Sequence, residues 1–445
     1  MRYPLRGVAE LPLGGASLTR AYPGRVRLRG RLGVLREPDY RRLFLGRTTS
    51  LVGDGMAPVA IAFAVLDLTG SATDLGLVFA SHSLLLIALV LVGGVVGDRV
   101  SPRVSMLGAD LVRTVSMGIL AALLLTGSAE IWQLAVLYAI DGAATAFFNP
   151  ASNAIVPQIV PRRRLQEANA LLELSRSLGR VVGPALAGIM RGLGSPGAAL
   201  AVDSGTFAVS AVALSGLRAP RPRDGAGASF LAELRHGWRE FSSRSWLVAV
   251  VCGAAAVNLV YYPSIQVLGP VVAQESLNGS SSWAVIATAM GIGALVGGGI
   301  ALSIRPRRPL MVSEGLIVLI AIPVVLLALP ATTAAIAIGA LIAGAVGSLA
   351  QIIFETAWVQ HVPAASRSRV SAYDWFGSLA LEPVGLAIVG PLSVAIGPSE
   401  TLWLGAAVIV VTLAAVYSVP SVRRLEVQGD EPTPPPPPRP VEAGD

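Results

Sequence analysis

The sequence predicts an all-α membrane protein whose twelve transmembrane helices form two six-helix bundles. Of its 445 residues, 53% are hydrophobic and 14% are charged, whereas an ordinary soluble domain carries roughly 25% charged residues. Apolar runs close to the length that crosses a bilayer, about 20 residues, recur along the whole chain. Because a soluble protein could not bury so many of them, we expect lipid to surround most of the surface.

Each expected span is a mostly apolar run that is long enough to cross the hydrocarbon core as a helix. The spans are 44–66, 75–96, 104–125, 131–148, 168–189 and 198–217 in the first half, and 246–267, 283–304, 310–329, 334–354, 372–396 and 402–419 in the second. The sequence therefore predicts bundles at residues 41–217 and 246–420, joined by a linker at residues 218–245.

The two halves of the sequence resemble each other at nearly one offset. A shift of six spans preserves helix orientation, so the repeats are expected to be parallel and related by an axis normal to the membrane. At an offset of 202 residues the matching positions are Gln158, Val160 and Pro161 with Gln360, Val362 and Pro363, and at 204 residues Gly93, Gly94 and Arg103 with Gly297, Gly298 and Arg307.

The basic residues predict the orientation of the chain in the membrane. Lysine is absent, and the formal net charge is +7. A basic balance often indicates nucleic-acid binding, but these arginines stand in short loops, where they are better explained by topology. Arginines are concentrated in alternate loops, such as those at 99–103, 162–164 and 305–308. The positive-inside rule then places both termini in the cytoplasm.

The ends and the linker are predicted to lie outside the bundles. Residues 1–40 are basic and punctuated by Gly and Pro, so we expect disorder there, although an over-extended start at 1–33 explains them equally well. Residues 421–445 are expected to form a disordered, Pro-rich tail. The linker ends in an amphipathic helix that carries Arg235 and Arg239 opposite its apolar face. That face either lies at the lipid interface or packs on cytoplasmic loops.

The loop after the second span resembles the major facilitator pattern G-x-x-x-D-R-x-G-R-R. The match covers Gly94, Asp98, Arg99 and Arg103, and two positions between them depart from it. The resemblance implies a gate in which Asp98 meets the positive end of a helix in one conformation only. The second half carries Leu302 where Asp98 would align, so the gate would be one-sided. The alternative is a topology-setting loop with a local ion pair.

The fifth span resembles the G-x-x-x-G-P-x-x-G-G element of export-type members of the same superfamily. Gly179, Gly183, Pro184 and Gly188 match this element, while Ala187 replaces one glycine. Small residues at four-residue spacing allow helices to pack closely. The resemblance implies export, and the alternative is simply a closely packed helix.

Three further segments look like the bacterial drug-exporter branch of the superfamily, which includes macrolide efflux proteins and the enterobactin exporter. They begin at Tyr40 (YRRLF), Ala146 (AFFNPA) and Ala168 (ANAL). The likeness runs from about residue 40 to 217 and is weaker afterwards. It implies an efflux pump with the major facilitator fold that is driven by the proton gradient.

Ionisable residues inside spans are candidates for function, because burying a charge in lipid is costly. Asp54 in the first span is the first candidate for coupling or substrate binding, because an isolated carboxylate there favours its protonated form. Glu355 and Glu382 in spans ten and eleven follow. Asp141 lies in span four near a position where many proton-coupled relatives carry an arginine that is missing here. His82 is either a titrating group or a packing residue.

Two other sets of polar residues have simpler interpretations. Asp110 and Arg113 are three positions apart on one helix face, so they are expected to pair with each other. Asn258, Tyr261 and Tyr262 in the seventh span either line a cavity or anchor the helix at the membrane interface.

The sequence carries no signature of an enzyme. A phosphate-binding loop of the G-x-x-x-x-G-K type needs lysine, and no H-E-x-x-H or paired-cysteine metal site is present. We therefore expect no cofactor and no metal. The expected partners are a small-molecule substrate, protons and the bilayer, without nucleic acid, and a monomer is expected to suffice.

Together these features predict a secondary active transporter that exports a drug, secondary metabolite or siderophore by proton antiport with alternating access. An importer on the same fold remains an alternative, as does a membrane sensor or scaffold that transports nothing.

The arginine pattern yields a topology prediction. A reporter fused after Arg424 should read as cytoplasmic, and one inserted at Asn278 should read as external, because arginine-rich loops stay inside. Paired alkaline phosphatase and fluorescent-protein fusions measure both sites in cells. An inverted signal at either site contradicts the twelve-span prediction.

Overall fold

The computed structural model describes residues 33–218, 230–363 and 366–426, except that the side chains of a few of these, chiefly residues 91–99, are outside the description. Most of the predicted N-terminal extension, the first part of the linker and most of the Pro-rich tail lie outside the described residues. Within those residues the chain forms twelve long helical segments, as the sequence predicts.

The first half folds into six antiparallel helices joined by short turns. They are α1 (Pro38–Thr69), α2 (Ala72–Arg99), α3 (Pro102–Thr126), α4 (Ile131–Ile159), α5 (Leu165–Leu193) and α6 (Pro196–Ser215). Proline in the first turn starts α1, α3 and α6, where its missing N–H costs nothing. Left-handed glycines at Gly70 and Gly127 end α1 and α3.

The second half repeats this plan with more interrupted helices. After the linker helix α7 (Phe230–Ser242), the segments are α8 (Ser245–Pro263) continuing through a π-helical turn into α9 (Gly269–Ser276), α10 (Ser280–Ala301), α11 and α12 (Pro309–Ala328), α13 (Thr333–His361), α14 (Arg367–Leu379) with α15 (Glu382–Ile396), and α16 (Pro398–Ser418), followed by the short α17 (Pro420–Arg424). Eleven spans in the described chain are apolar enough to cross a membrane by length and composition, and α5 is the long helix outside this set.

Helix packing repeats between the halves and supports the internal repeat. In the first bundle α1 packs against α5 and α6, α2 against α4, and α3 against α4 and α6. In the second bundle α8 packs against α15 and α16, α10 against α13, and the α11–α12 segment against α13 and α16. Each pairing in one half corresponds to a pairing six spans later, so the two bundles share one topology.

The bundles meet through α2 with α15 and through α5 with α10. Small residues allow these helices to touch. A side chain at Gly76 would strike the carbonyl of Leu386, one at Gly390 would strike the start of α2, and one at Gly188 would strike Ala284. These contacts cluster at the starts of α2 and α10, which is the external side in the predicted topology. The bundles are therefore closed at that side.

The linker helix α7 packs on α14 through aromatic side chains. The rings of Trp238 and Phe241 lie 5.7 Å apart, and they stand 5.5 and 6.0 Å from the ring of Tyr373. Phe241 is buried, whereas Trp238 remains 54% exposed. The helix thus packs on a neighbouring span through Phe241. Contact of its apolar face with lipid stays a prediction, for which the exposed Trp238 is available.

The closed contact between the bundles yields a stability prediction. Gly390→Ala places a methyl group against the backbone of α2 and is expected to destabilise the protein by about 1–3 kcal/mol, the range for overpacking. The matched control is Gly347→Ala in α13, where a methyl group meets open space, so helix propensity should stabilise it by up to about 1 kcal/mol. Denaturant unfolding of both variants in micelles measures the difference. Equal effects at the two positions would contradict the close approach of α2 and α15.

Candidate functional site

Arg113 lies in the middle of α3 and forms two ion pairs with carboxylates from other helices. Its Nε donates a 2.8 Å hydrogen bond to Asp141 of α4, and a terminal nitrogen donates to Asp54 of α1. Its guanidinium carbon lies 3.8 Å above the ring of Phe207. The predicted pair between Asp110 and Arg113 is wrong, because the long arginine side chain crosses to α1 and α4 instead of following its own helix.

The two carboxylates bound by Arg113 differ in their exposure. The Asp141 side chain is 6% exposed, whereas the Asp54 side chain is 33% exposed. Asp54 is therefore not the isolated carboxylate that the sequence suggested, since it has a cationic partner and an open side. The arginine that contacts Asp141 comes from span three, whereas span four carries none near this position.

His82 extends this network to α2. Its Nε2 lies 3.3 Å from the second carboxylate oxygen of Asp141, and its ring stacks on Tyr138 at 4.3 Å. The side chains of Asp54, Arg113, Asp141 and His82 thus form a continuous polar chain across α1, α3, α4 and α2. We call these four residues the polar chain.

The polar chain lies next to a contact between the bundles. Ser83 follows His82 on α2 and donates a 3.1 Å hydrogen bond to Glu382. Glu382 is the first residue of α15, directly after the break between α14 and α15. The positive N-terminal end of a helix stabilises a carboxylate at this position. Consecutive residues of α2 therefore contact the buried network on one side and the second bundle on the other.

Helix α5 carries a charged face that explains its low apolar character. Arg176 and Arg180 share one face with Glu173 and both form ion pairs with it, and the three side chains are 36–55% exposed. Arg176 also reaches Asn153 of α4, and Arg180 lies within electrostatic range of Tyr262 on α8. Charged side chains at membrane depth face water or protein. The exposed charges on this face are therefore expected to contact water or protein rather than lipid.

Glu355 lies apart from the polar chain. It is exposed near the end of α13 and accepts a 3.0 Å hydrogen bond from Gln351 on the same helix. Its charged neighbour is Asp374 of α14. Of the four predicted carboxylates, Asp54 and Asp141 are brought together by Arg113, and Glu382 is joined to them through α2.

The predicted gating loop is only partly described. Helix α2 continues through Gly94, Asp98 and Arg99, whose side chains are outside the described part. Arg103 donates hydrogen bonds to the last carbonyl oxygens of α6. This contact caps a helix end within the first bundle, and the gating role of the loop remains a prediction.

The glycines of the predicted export element have distinct partners. Side chains at Gly179 and Gly183 would strike the backbone of α1, where Gly55 lies opposite Gly183. Gly188, one turn after the buried Pro184, faces the second bundle. The element therefore packs α5 against both α1 and α10, and packing alone does not set a transport direction.

Sequence reasoning missed two buried ionisable residues near this site, Asp203 and Arg47, and the isolation of a third, Asp110. Asp203 of α6 is 1% exposed and lies opposite Gly53 of α1, and Arg47 of α1 is 5% exposed. Asp110 is fully buried and faces Ser210 without a hydrogen bond of normal geometry. The signal that identified Asp54, an ionisable residue inside an apolar span, was present for all three.

Relatives of known name match the chain over most of its length. The multidrug efflux pump Tap of Mycolicibacterium fortuitum is 30% identical over 399 residues, covering 85% of this chain and 95% of that protein. Macrolide efflux protein A of Streptococcus pyogenes is 24% identical over 241 residues, covering 54% of this chain and 59% of that protein. These relatives confirm the predicted resemblance to the bacterial drug-exporter branch.

Solved structures confirm the fold. A bacterial homolog of the human lysosomal transporter Spinster, solved in an inward-facing and unoccupied conformation, superposes with a TM-score of 0.69 at 16% identity, covering 87% of this chain and 96% of that chain. The nucleoside transporter NupG gives a TM-score of 0.65 at 14% identity, covering 85% of this chain and 98% of that chain. A family model described as Major Facilitator Superfamily matches residues 43–381. The chain therefore belongs to the Major Facilitator Superfamily.

Proposed function

We propose that the protein exports a small organic molecule from the cytoplasm in exchange for protons. The observation that carries this proposal is the partly exposed Asp54 side chain, which forms an ion pair with the buried Arg113. The multidrug and macrolide efflux relatives support export and a drug, secondary metabolite or siderophore as the substrate. The chain is thus a transporter and not an enzyme.

Competition for Asp54 supplies a coupling mechanism. A proton on Asp54 removes the charge that holds Arg113, and a cationic group of a substrate would replace Arg113 at the same carboxylate. Proton and substrate then exclude each other at one oxygen, which is the requirement for antiport. Each ligand shifts the balance between cavity orientations by its differential affinity for them. Asp141 keeps Arg113 anchored in the first bundle while Asp54 changes partner.

The contacts between the bundles, the loop after α2 and the glycines of α5 would each have a role in an alternating-access cycle. The halves would rock about the α2–α15 and α5–α10 contacts, with Gly94, Asp98, Arg99 and Arg103 as the cytoplasmic gate. The Gly179–Gly188 element of α5 would provide the sliding surface for export. We place the protein in a bacterial cell membrane as a multi-pass monomer with both termini in the cytoplasm.

An importer would share the fold and the polar chain. The direction in which substrate moves under an imposed pH gradient distinguishes an exporter from an importer. A sensor or scaffold would bind ligand without transport. Efflux-deficient cells that express the chain and are tested with macrolides, dyes and siderophores should gain resistance if it exports them.

The central experiment replaces Asp54. Asp54→Asn preserves volume and removes the titrating oxygen, so efflux driven by a pH gradient should fall at least about tenfold, equivalent to about 1.4 kcal/mol. Asp54→Glu should retain part of the activity. Substrate efflux from reconstituted vesicles with an imposed pH gradient measures both variants, with protein level and orientation determined in parallel.

The matched control is Asp67→Asn. Asp67 lies on the same helix and pairs with Arg191 at the external end, so this variant removes a carboxylate outside the polar chain and should keep most of the efflux. Wild-type efflux from the Asp54→Asn protein would place coupling elsewhere, with Glu382 and Glu355 as the next residues to replace.

Removing Arg113 should destabilise the protein. Arg113→Gln leaves Asp141 as a buried charge without its arginine, and breaking a buried ion pair from one side costs about 3–5 kcal/mol. The double variant with Asp141→Asn removes both charges and should recover much of this loss, because the two sites interact directly. Unfolding in micelles completes the cycle, and strictly additive losses would argue against the ion pair.

A further inference from the structure

Asp203 is a buried carboxyl group that the proposed Asp54 mechanism does not use. It lies in the middle of α6, is 1% exposed, and neither of its carboxylate oxygens has a hydrogen-bond partner among the described residues. An unpartnered polar group in such a place costs a few kcal/mol when it is neutral and far more when it is ionised. The protonated form is therefore the form that this environment accommodates.

The charges around Asp203 lead to the same conclusion. Asp54 from α1, Arg113 from α3 and Asp141 from α4 interact with it electrostatically, and the Tyr138 hydroxyl of α4 lies within the same range. Arg113 is already shared between Asp54 and Asp141. Even with His82 protonated beside Asp141, two positive groups face three carboxyl groups. This excess favours a proton on one carboxyl group, and Asp203 is the one of the three that forms no ion pair.

The other buried arginine does not change this count. Arg47 interacts electrostatically with Asp110, Asp54, Arg113 and Arg176. Asp110 in turn interacts electrostatically with Arg113, Asp54 and Arg47. Counting Arg47 and Asp110 gives three positive groups and four carboxyl groups, so the excess of one carboxyl group remains.

We propose that Asp203 is a second proton-binding site of the transporter and that it holds its proton in this conformation. When Arg113 leaves Asp54 and turns to Asp203, the Asp203 carboxylate is stabilised and its proton is released. The same movement leaves the Asp54 carboxylate without its cation, so that oxygen accepts the proton. One proton thus moves from the buried Asp203 to the partly exposed Asp54 without change in total charge.

This inference deepens the proposed proton antiport and rests on it only for the consequences in transport. The protonation of Asp203 is a property of the folded chain and can be measured without any substrate. The two ideas can therefore fail separately.

The experiment uses infrared spectroscopy of the purified full chain in lipid at neutral pH. A protonated carboxyl group gives a carbonyl band that a carboxylate lacks, and this band shifts in D2O. We expect Asp203→Asn to remove one component of that band, and Asp67→Asn to leave the band unchanged. Asp54→Asn should remove the same component, because Arg113 is then free to pair with Asp203.

Asp203→Asn should also fold as well as the wild type, because an amide resembles a protonated carboxyl group in shape and charge. An unchanged band, or failure of this variant to fold, overturns the proposal. Retention of the band component in Asp54→Asn overturns the transfer of the proton between the two carboxyl groups. If the wild type shows the band but no proton-driven efflux, the antiport proposal fails while the Asp203 site stands.

Discussion

The desolvated guanidinium of Arg113 is the constraint on which the first bundle depends. A single arginine at membrane depth would be costly, and here it is stabilised by Asp54, Asp141 and the face of Phe207. These partners come from three different helices, so the network fixes the relative positions of α1, α3, α4 and α6. Breaking it from one side would leave an uncompensated buried charge, which is costly.

Small residues make this arrangement possible because they bring the backbones together. Gly53 leaves room for Asp203 between α1 and α6, and Gly55 meets Gly183 between α1 and α5. Lipid provides no hydrophobic force between helices, so close packing and polar contacts must hold them. Glycines at Gly76 and Gly390 allow the same close approach between the two bundles. Close approach of the helices therefore holds each bundle together and also joins the two bundles.

The fold was predictable to a much greater degree than the site. Apolar runs, arginine alternation and the repeat predicted the twelve helices, because length and hydrophobicity are local properties of the chain. Asp54 and Asp141 were predictable as ionisable residues inside spans. Their shared partner was not, because Arg113 had an acidic neighbour at i−3 in sequence and the choice between partners depends on helix packing. The exposure of the α5 charges likewise depends on how the helices pack.

His82 and Ser83 connect the polar chain of the first bundle with the contact between the two bundles. His82 contacts the buried Asp141, while Ser83 contacts Glu382 across the boundary between the bundles. A helix places consecutive residues about 100° apart, so one turn of α2 faces both the network and the other bundle. In the proposed antiport, a change of charge in the network would therefore act next to the contact between the bundles. Charge in a low-dielectric site changes only when a proton or a charged partner moves, so α2 would connect proton binding with movement of the bundles.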